Sequence, residues 1–290
     1  MTYIPSTDAE ARIYLSMAAG SAGSEDAWAA HIAEHGAPAT VAALQAGALT
    51  SAAAAFPVTA DDVAWQQEAA EKAGATLLTP EHPAWPHRLA DLGDEAPLLL
   101  WARGDTALLD PARPAALIDG TRASTGFGNH MATEISAELA EQGTTVITTA
   151  AYGIAAAAAR AALAARGATV AVMGSGLDLP YPTGNRDLID RIAASGLLIT
   201  ARPFMTSPTP AAFRRRSGLA AALADAVVIV EAGERSGAMR LAAIARRLRR
   251  PVGAVCGAAT SPSSRGTITL MREQAATPIG QASHAAALLA

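Results

Sequence analysis

A chain of 290 residues, half of them apolar and only 17% charged, is long enough for one large domain plus a small one and excludes a disordered polypeptide. Its single cysteine, Cys256, excludes an internal disulfide and a cysteine-based zinc site, and its place at the end of an apolar run suggests a buried small hydrophobe. The net charge of −4 conceals an asymmetry: residues 1–200 carry ten basic and twenty-two acidic side chains, whereas residues 201–272 carry twelve arginines against Asp225, Glu231 and Glu234, a local balance of +9. That segment is either a solvated basic face or a positive surface for a polyanion.

The N-terminus, Met1-Thr2-Tyr3-Ile4-Pro5, has no basic region followed by an apolar run, so it does not read as a signal peptide, and a cytoplasmic location is expected. Two apolar stretches, Ala39–Val58 and Ala150–Gly174, are interrupted by Gln45, Thr50 and Ser51 and by Arg160 and Arg166. Neither reads as a membrane span. Helices are expected at Asp8–Ala19, Ser24–His35, Pro38–Ala46 and Ala60–Ala73, with Ser24 as a cap and Pro38 in a first turn. Together they make a small helical N-terminal module over residues 1–75. His31 and His35 share a helix face in a His-Ile-Ala-Glu-His pattern, but Gly36 follows at once and no third ligand is evident. They read as surface histidines, and no metal is expected. The Pro-rich run from Thr79 to Pro86 marks an ordered connector over residues 76–96.

From Pro97 onward, short apolar runs alternate with longer helical ones. Strands are expected at Leu98–Trp101, Ala115–Ile118, Thr145–Thr148, Thr169–Met173, Leu197–Thr200, Ala226–Val230 and Val252–Val255. Helices are expected between them at His130–Gln142, Ile154–Arg166, Arg186–Ser195, Phe213–Ala224 and Gly237–Arg249. Strand and helix in turn, with near-continuous apolar strands, predict an α/β fold: a doubly wound, mainly parallel, Rossmann-like sheet over residues 97–290. Ligands of such sheets sit beyond the carboxyl ends of the strands.

Three glycine-bearing loops fall at those ends. Gly120-Thr121-Arg122-Ala123-Ser124 follows one strand and leads into a helix, where backbone N–H groups and the helix N-terminus suit a phosphate. Gly174-Ser175-Gly176 and Arg235-Ser236-Gly237 follow two others. Phe213-Arg214-Arg215-Arg216 opens a helix at the same end with one aromatic face and three guanidinium groups, and Arg202 lies nearby in sequence. Arginine pairs with phosphate and stacks on bases, and phenylalanine offers a stacking platform. Asp178 and Glu231 also lie at strand ends, where a carboxylate pair could serve a hydrolase or simply orient backbone. No Gly-x-Ser-x-Gly elbow or Walker lysine is found, so no catalytic residue and no cofactor are expected.

Gly120-Thr121-Arg122, Ser124 and Phe127-Gly128 resemble the first Rossmann turn of the DNA-processing protein A (DprA/Smf) family, with Thr for Ser and Phe for Tyr. Ala150–Ile154, Gly174–Asp178 with Tyr181-Pro182 and Asn185, and Val230–Ala232 with Ser236–Ala238 and Arg250–Val252 are similar to its later motifs. Order and spacing hold from about Thr79 to about Pro278. The resemblance implies a non-catalytic protein that binds single-stranded DNA, processes incoming DNA in natural transformation, loads a RecA-type recombinase and forms a homodimer. It also implies that the winged-helix module many relatives carry after the Rossmann unit is missing. The family's Arg-Asn-Arg motif stands here as Arg216-Ser217-Gly218, and other polar positions are Ala155, Ala159 and Thr200-Ala201. Two readings follow: DNA binding rebuilt around Arg202 and Arg214–Arg216, or a diverged relative with weaker or lost binding. A second class, nucleotide-processing phosphoribohydrolases with the same Rossmann variant, needs a Pro-Gly-Gly-x-Gly-Thr loop that is not found here.

Overall fold

The computed structural model describes residues 3–19, 26–49 and 58–290. Nine strands among them are β1 (Thr76–Leu78), β2 (Leu100–Gly104), β3 (Ala115–Asp119), β4 (Thr145–Thr148), β5 (Thr169–Val172), β6 (Leu197–Thr200), β7 (Ala226–Ile229), β8 (Val252–Val255) and β9 (Thr277–Ile279). They form one sheet in the order β1-β2-β6-β5-β4-β3-β7-β8-β9. All pairings from β6 to β9 are parallel, and β1 and β2 add to the β6 edge antiparallel. Every residue of β4, β5, β6 and β7 is buried. Helices on both faces explain why these strands read as unbroken apolar runs.

The helices of the N-terminal region are α1 (Asp8–Ala18), α2 (Asp26–His35), α3 (Ala37–Gln45) and α4 (Ala60–Lys72). Those woven around the sheet are α5 (Gly126–Glu141), α6 (Ile154–Ala164), α7 (Arg186–Ser195), α8 (Pro210–Leu223), α9 (Gly237–Arg247), α10 (Arg265–Arg272) and α11 (Ala282–Ala286). Thr7 and Glu10 form a capping box at the start of α1, and Thr59 and Asp62 do so at α4. The cap expected of Ser24 lies outside the described residues. Among the described residues no helix is long and apolar enough to cross a membrane.

The N-terminal helices lie against the sheet. Ile13, Leu15 and Trp28 share one apolar cluster with Leu98, Leu99, Trp101 and Phe204. Arg12 donates to Leu98 O at 3.1 Å. Gln66 clamps the backbone of Phe204, accepting from its N–H at 2.8 Å and donating to its carbonyl at 3.3 Å.

Three features depart from the sequence expectations. The stretch expected as a connector contains β1 and a 3-10 segment, His87–Glu95, that buries Leu89 and Leu92. β1 and β9 are three-residue edge strands beside prolines, too short to show a period. Cys256 is exposed, because β8 stops at Val255 and leaves it in the following loop.

The chain lays β4, β5 and β6 on one side of β3, then crosses to add β7, β8 and β9 on the other. Winding therefore reverses between β3 and β7, the point at which sheets of this kind take ligands, although here the loops leaving those two strands are bonded to each other through Thr121 N–H and Glu231 O at 2.8 Å.

Candidate nucleic-acid interface

The loop leaving β3 is held in shape by its neighbours. Glu231, at the end of β7 and only 2% exposed, accepts from the Thr125 N–H at 3.0 Å and the Thr125 hydroxyl at 2.6 Å. Thr125 in turn caps α5, accepting from the Gly128 N–H at 3.1 Å. A Cβ at Gly128 would collide with the Glu231 carboxylate. Thr121 N–H donates to Glu231 O at 2.8 Å, and Thr121 O accepts from Ile154 N–H at 3.2 Å. Gly153, at φ 73°, lies against this loop so closely that a Cβ would collide with the Thr121 and Arg122 carbonyls. The backbone is thus committed to the loop's shape, and the Arg122 side chain is left exposed.

Arg122 reaches Phe213. Its guanidinium lies over the Phe213 ring at 5.7 Å, and that of Arg216 lies over the same ring at 4.9 Å. The Tyr181 ring stands 5.6 Å away. Gly174 makes room for this ring, since a Cβ there would sit 3.0 Å from Phe213 Cδ1. Arg216 is 8% exposed and donates to Thr149 O at 3.3 Å, while its Nε has no hydrogen-bond partner among the described residues. Burial pulls its pKa down to about 10 despite the opposing pull of Asp119. Asp119 accepts from Gly120 N–H at 2.6 Å and from the Thr149 hydroxyl at 2.9 Å. Burial nevertheless holds its carboxyl above the usual range. A desolvated guanidinium with an unfilled donor is stabilised by an arriving anion.

The Phe213-led arginine run does not act as three equivalent cations. α8 begins at Pro210, so Phe213 sits within its first turn, and successive residues on a helix point about 100° apart. Arg214 is exposed and Arg216 is buried beneath Phe213. Arg215 is half-buried and lines a cavity with Arg202, Leu92 and Glu95, whose wall Arg216 also forms. Glu95 is held low chiefly by hydrogen bonding to Arg247, with the Arg215 charge contributing.

The second glycine loop also differs from expectation. Gly176 N–H is already committed to Thr206 O at 3.0 Å, and buried Ser175 donates its hydroxyl to Leu179 O at 2.7 Å. The tight turn that glycine permits is used to pack the loop, which leaves Gly174 as the residue that touches Phe213. Ser124 donates to the Asn129 side chain at 2.7 Å. Arg235 is exposed, Ser236 caps α9 by accepting from Met239 N–H at 3.3 Å, and Gly237 opens that helix. Among the described residues, no hydrogen bond, ion pair or ring contact joins these three to Phe213. The two carboxylates weighed for hydrolysis are backbone acceptors: Glu231 as above, and Asp178, whose two oxygens each lie 3.0 Å from Met205 N–H. His31 Nδ1 lies 2.8 Å from the Thr40 hydroxyl.

Three aromatic side chains at this end of the sheet stood in the motifs that carry the resemblance but were not among the candidate site residues. Phe127, Tyr152 and Tyr181 follow β3, β4 and β5 and are all exposed. Their signal was an aromatic residue soon after each strand, which singly reads as an ordinary loop.

Comparison with known proteins decides the family. The sequence model for "DNA recombination-mediator protein A" matches residues 76–289. The chain belongs to this family. Among its relatives, the putative DNA processing protein DprA of Mycobacterium tuberculosis (strain ATCC 25618 / H37Rv) is 45% identical over 212 residues, 70% of this chain and 54% of that protein. DNA processing protein DprA of Streptococcus pneumoniae (strain ATCC BAA-255 / R6) is 32% identical over 191 residues, 66% of each chain. The chain spans about half the length of the first of these and of Protein Smf from Synechocystis. A solved structure of DNA processing protein A from Helicobacter pylori, described for its single-stranded DNA binding mode, superposes with a TM-score of 0.66 at 29% identity, covering 72% of this chain and 93% of that one. The X-ray structure of DprA from Streptococcus pneumoniae superposes with a TM-score of 0.77 over 97% of this chain and 98% of that one, and at 24% identity it speaks for the fold. In this recombination-mediator family member the matched residues run from β1 to α11 and hold every crevice loop, leaving α1–α4 outside the match.

Proposed function

We propose that this protein binds single-stranded DNA in a crevice at the carboxyl ends of β3, β4 and β5, where Arg122, Phe213, Tyr181 and Arg216 meet, and acts there as a recombination mediator without turnover. The observation that carries the reading is Phe213 flanked by two guanidiniums, one exposed and one buried with an unfilled donor. Phe213 supplies a stacking face, Arg122 meets the phosphate backbone, and Arg216 receives a phosphate oxygen at the floor. Arg214 adds exposed charge. The Helicobacter relative described for its single-stranded DNA binding supports the ligand class. Loading of a RecA-type recombinase, homodimerisation, processing of incoming DNA and a cytoplasmic location complete the proposal. Ser217, where the family has Asn, donates its hydroxyl proton back to Phe213 O at 3.0 Å. Weaker affinity than that of relatives follows.

Fluorescence-anisotropy titration with single- and double-stranded oligonucleotides over a salt series tests this. Single strands should bind more tightly, with a log–log salt slope of about −0.7 per phosphate neutralised. Arg122→Ala should flatten that slope by about 0.7. Phe213→Ala should weaken binding by about 1–3 kcal/mol with the slope unchanged. Absence of binding to a long single strand at low salt would overturn the proposal.

A further inference from the structure

The crevice accounts for Phe213 and its two arginines but leaves Tyr152 unused. This side chain is 46% exposed and sits in the β4–α6 loop, directly before Gly153. Its hydroxyl lies over Gly184 in the β5–α7 loop, close enough that a Cβ there would sit 2.6 Å from it. Three residues earlier in that loop is Tyr181, 40% exposed, whose ring is 5.6 Å from Phe213. The loop itself is fixed: Asn185 is buried, donates to Ala150 O at 3.0 Å and accepts from Arg160 at 3.3 Å. Exposed large apolar side chains scattered singly need no explanation. Here Tyr181 stands beside Phe213 and Tyr152 rests on the same β5–α7 loop at Gly184, three residues further on, at the carboxyl ends of the neighbouring parallel strands β4 and β5, which lie about 4.8 Å apart. Each carries a π-face that any base can stack on.

We infer that the single strand leaves the Phe213 crevice over Tyr181 and stacks a further base on Tyr152, so that the β4–α6 and β5–α7 loops form an exit ledge of the binding site. The inference rests on the DNA-binding reading above and adds to it a path and a direction across the sheet. Along this ledge, beyond Arg122 at its Phe213 end, affinity comes from stacking, because the two cations bonded within it are committed or tethered. Arg160 bonds Asn185, and Arg186 stands 3.9 Å from Asp190. Gly184 is part of the device. Its bare Cα seats the Tyr152 ring, and a methyl group would lift the ring without removing it.

A length series of oligo-deoxythymidylates, from trinucleotide to twenty-mer, separates the ledge from the crevice. Tyr152→Ala should leave trinucleotide affinity as in wild type and weaken binding of the twenty-mer by about tenfold. Gly184→Ala should weaken the twenty-mer in the same direction by less, and Tyr152→Phe should bind both lengths as wild type does. Photocrosslinking of an oligonucleotide carrying 5-iododeoxyuridine should label the peptide that contains Tyr152. If Tyr152→Ala binds every length as wild type while Phe213→Ala is weakened, the ledge is wrong and the crevice stands. If wild-type protein binds no length, the DNA-binding reading falls and the ledge falls with it.

Discussion

At the scale of single residues, the crevice floor holds two opposite charges that both resist burial. Asp119 has its carboxyl raised by desolvation, and Arg216 has its pKa lowered to about 10 for the same reason. For Asp119 the folded value exceeds the unfolded one, so the folded chain binds a proton more readily between them. Stability therefore falls as pH rises through that window, and the ionised carboxylate costs stability at neutral pH. Asn can keep an acceptor for Gly120 N–H and a partner for the Thr149 hydroxyl. Asp119→Asn should accordingly be more stable than wild type at pH 7, with the gap closing as pH falls toward about 4. Urea unfolding at several pH values measures this. A variant less stable than wild type at pH 7 would mean that attraction to Arg216 outweighs desolvation.

At the scale of elements, the decisive contacts join one loop to the next. Gly153 illustrates this: it needs a positive φ, and it also needs no Cβ, because the β3–α5 loop passes over it. Gly143 has a positive φ of 84° but nothing within 4 Å of an added Cβ. Gly143→Ala should therefore cost about 1 kcal/mol from backbone strain alone. Gly153→Ala adds steric overlap and should cost roughly 2–3 kcal/mol while shifting Arg122 and weakening DNA binding. Equal urea midpoints for the two variants would refute the close approach. The same distinction between local and non-local causes decides what the sequence made legible. β3 to β8 were read to within a residue at most ends because their apolar runs are continuous and bounded by turns. β1 and β9 escaped because edge pairing, not local pattern, makes them strands. Arg122, Phe213 and Arg216 were legible as candidates. The different surroundings of Arg214, Arg215 and Arg216 were not, since the rotation of α8 is set by burial of Leu219 and Leu223 further along the helix. The commitment of Gly176 N–H was equally invisible, because its acceptor is thirty residues away.

At the scale of the whole molecule, we propose that the boundary near residue 75 is one of sequence pattern and not of folding. Trp28 of α2 and Trp101 of β2 lie in one apolar cluster, and Gln66 of α4 holds Phe204 in the loop before α8. Removing residues 1–75 would bare Leu98, Leu99, Trp101 and Phe204. Each fully buried side chain of this kind stabilises by about 1.5–3 kcal/mol, so the loss approaches the roughly 5–15 kcal/mol of a whole domain. The truncated chain should not unfold cooperatively, and the intact chain should melt once, with tryptophan fluorescence and circular dichroism coincident. An early separate transition of the helices would instead support an independent module. The loop-to-loop bonding has a further consequence, for how such a protein can change over generations. Glu231 bonds Thr125, Ile154 bonds Thr121, and Asn185 bonds Ala150, so four loops share one backbone route around the crevice. Substitution can exchange the side chains carried on that route, but a single inserted residue would break register with two neighbours at once. Variation in length belongs at the opposite end of the sheet, in turns such as that at Gly143, while the crevice diverges by side chain alone.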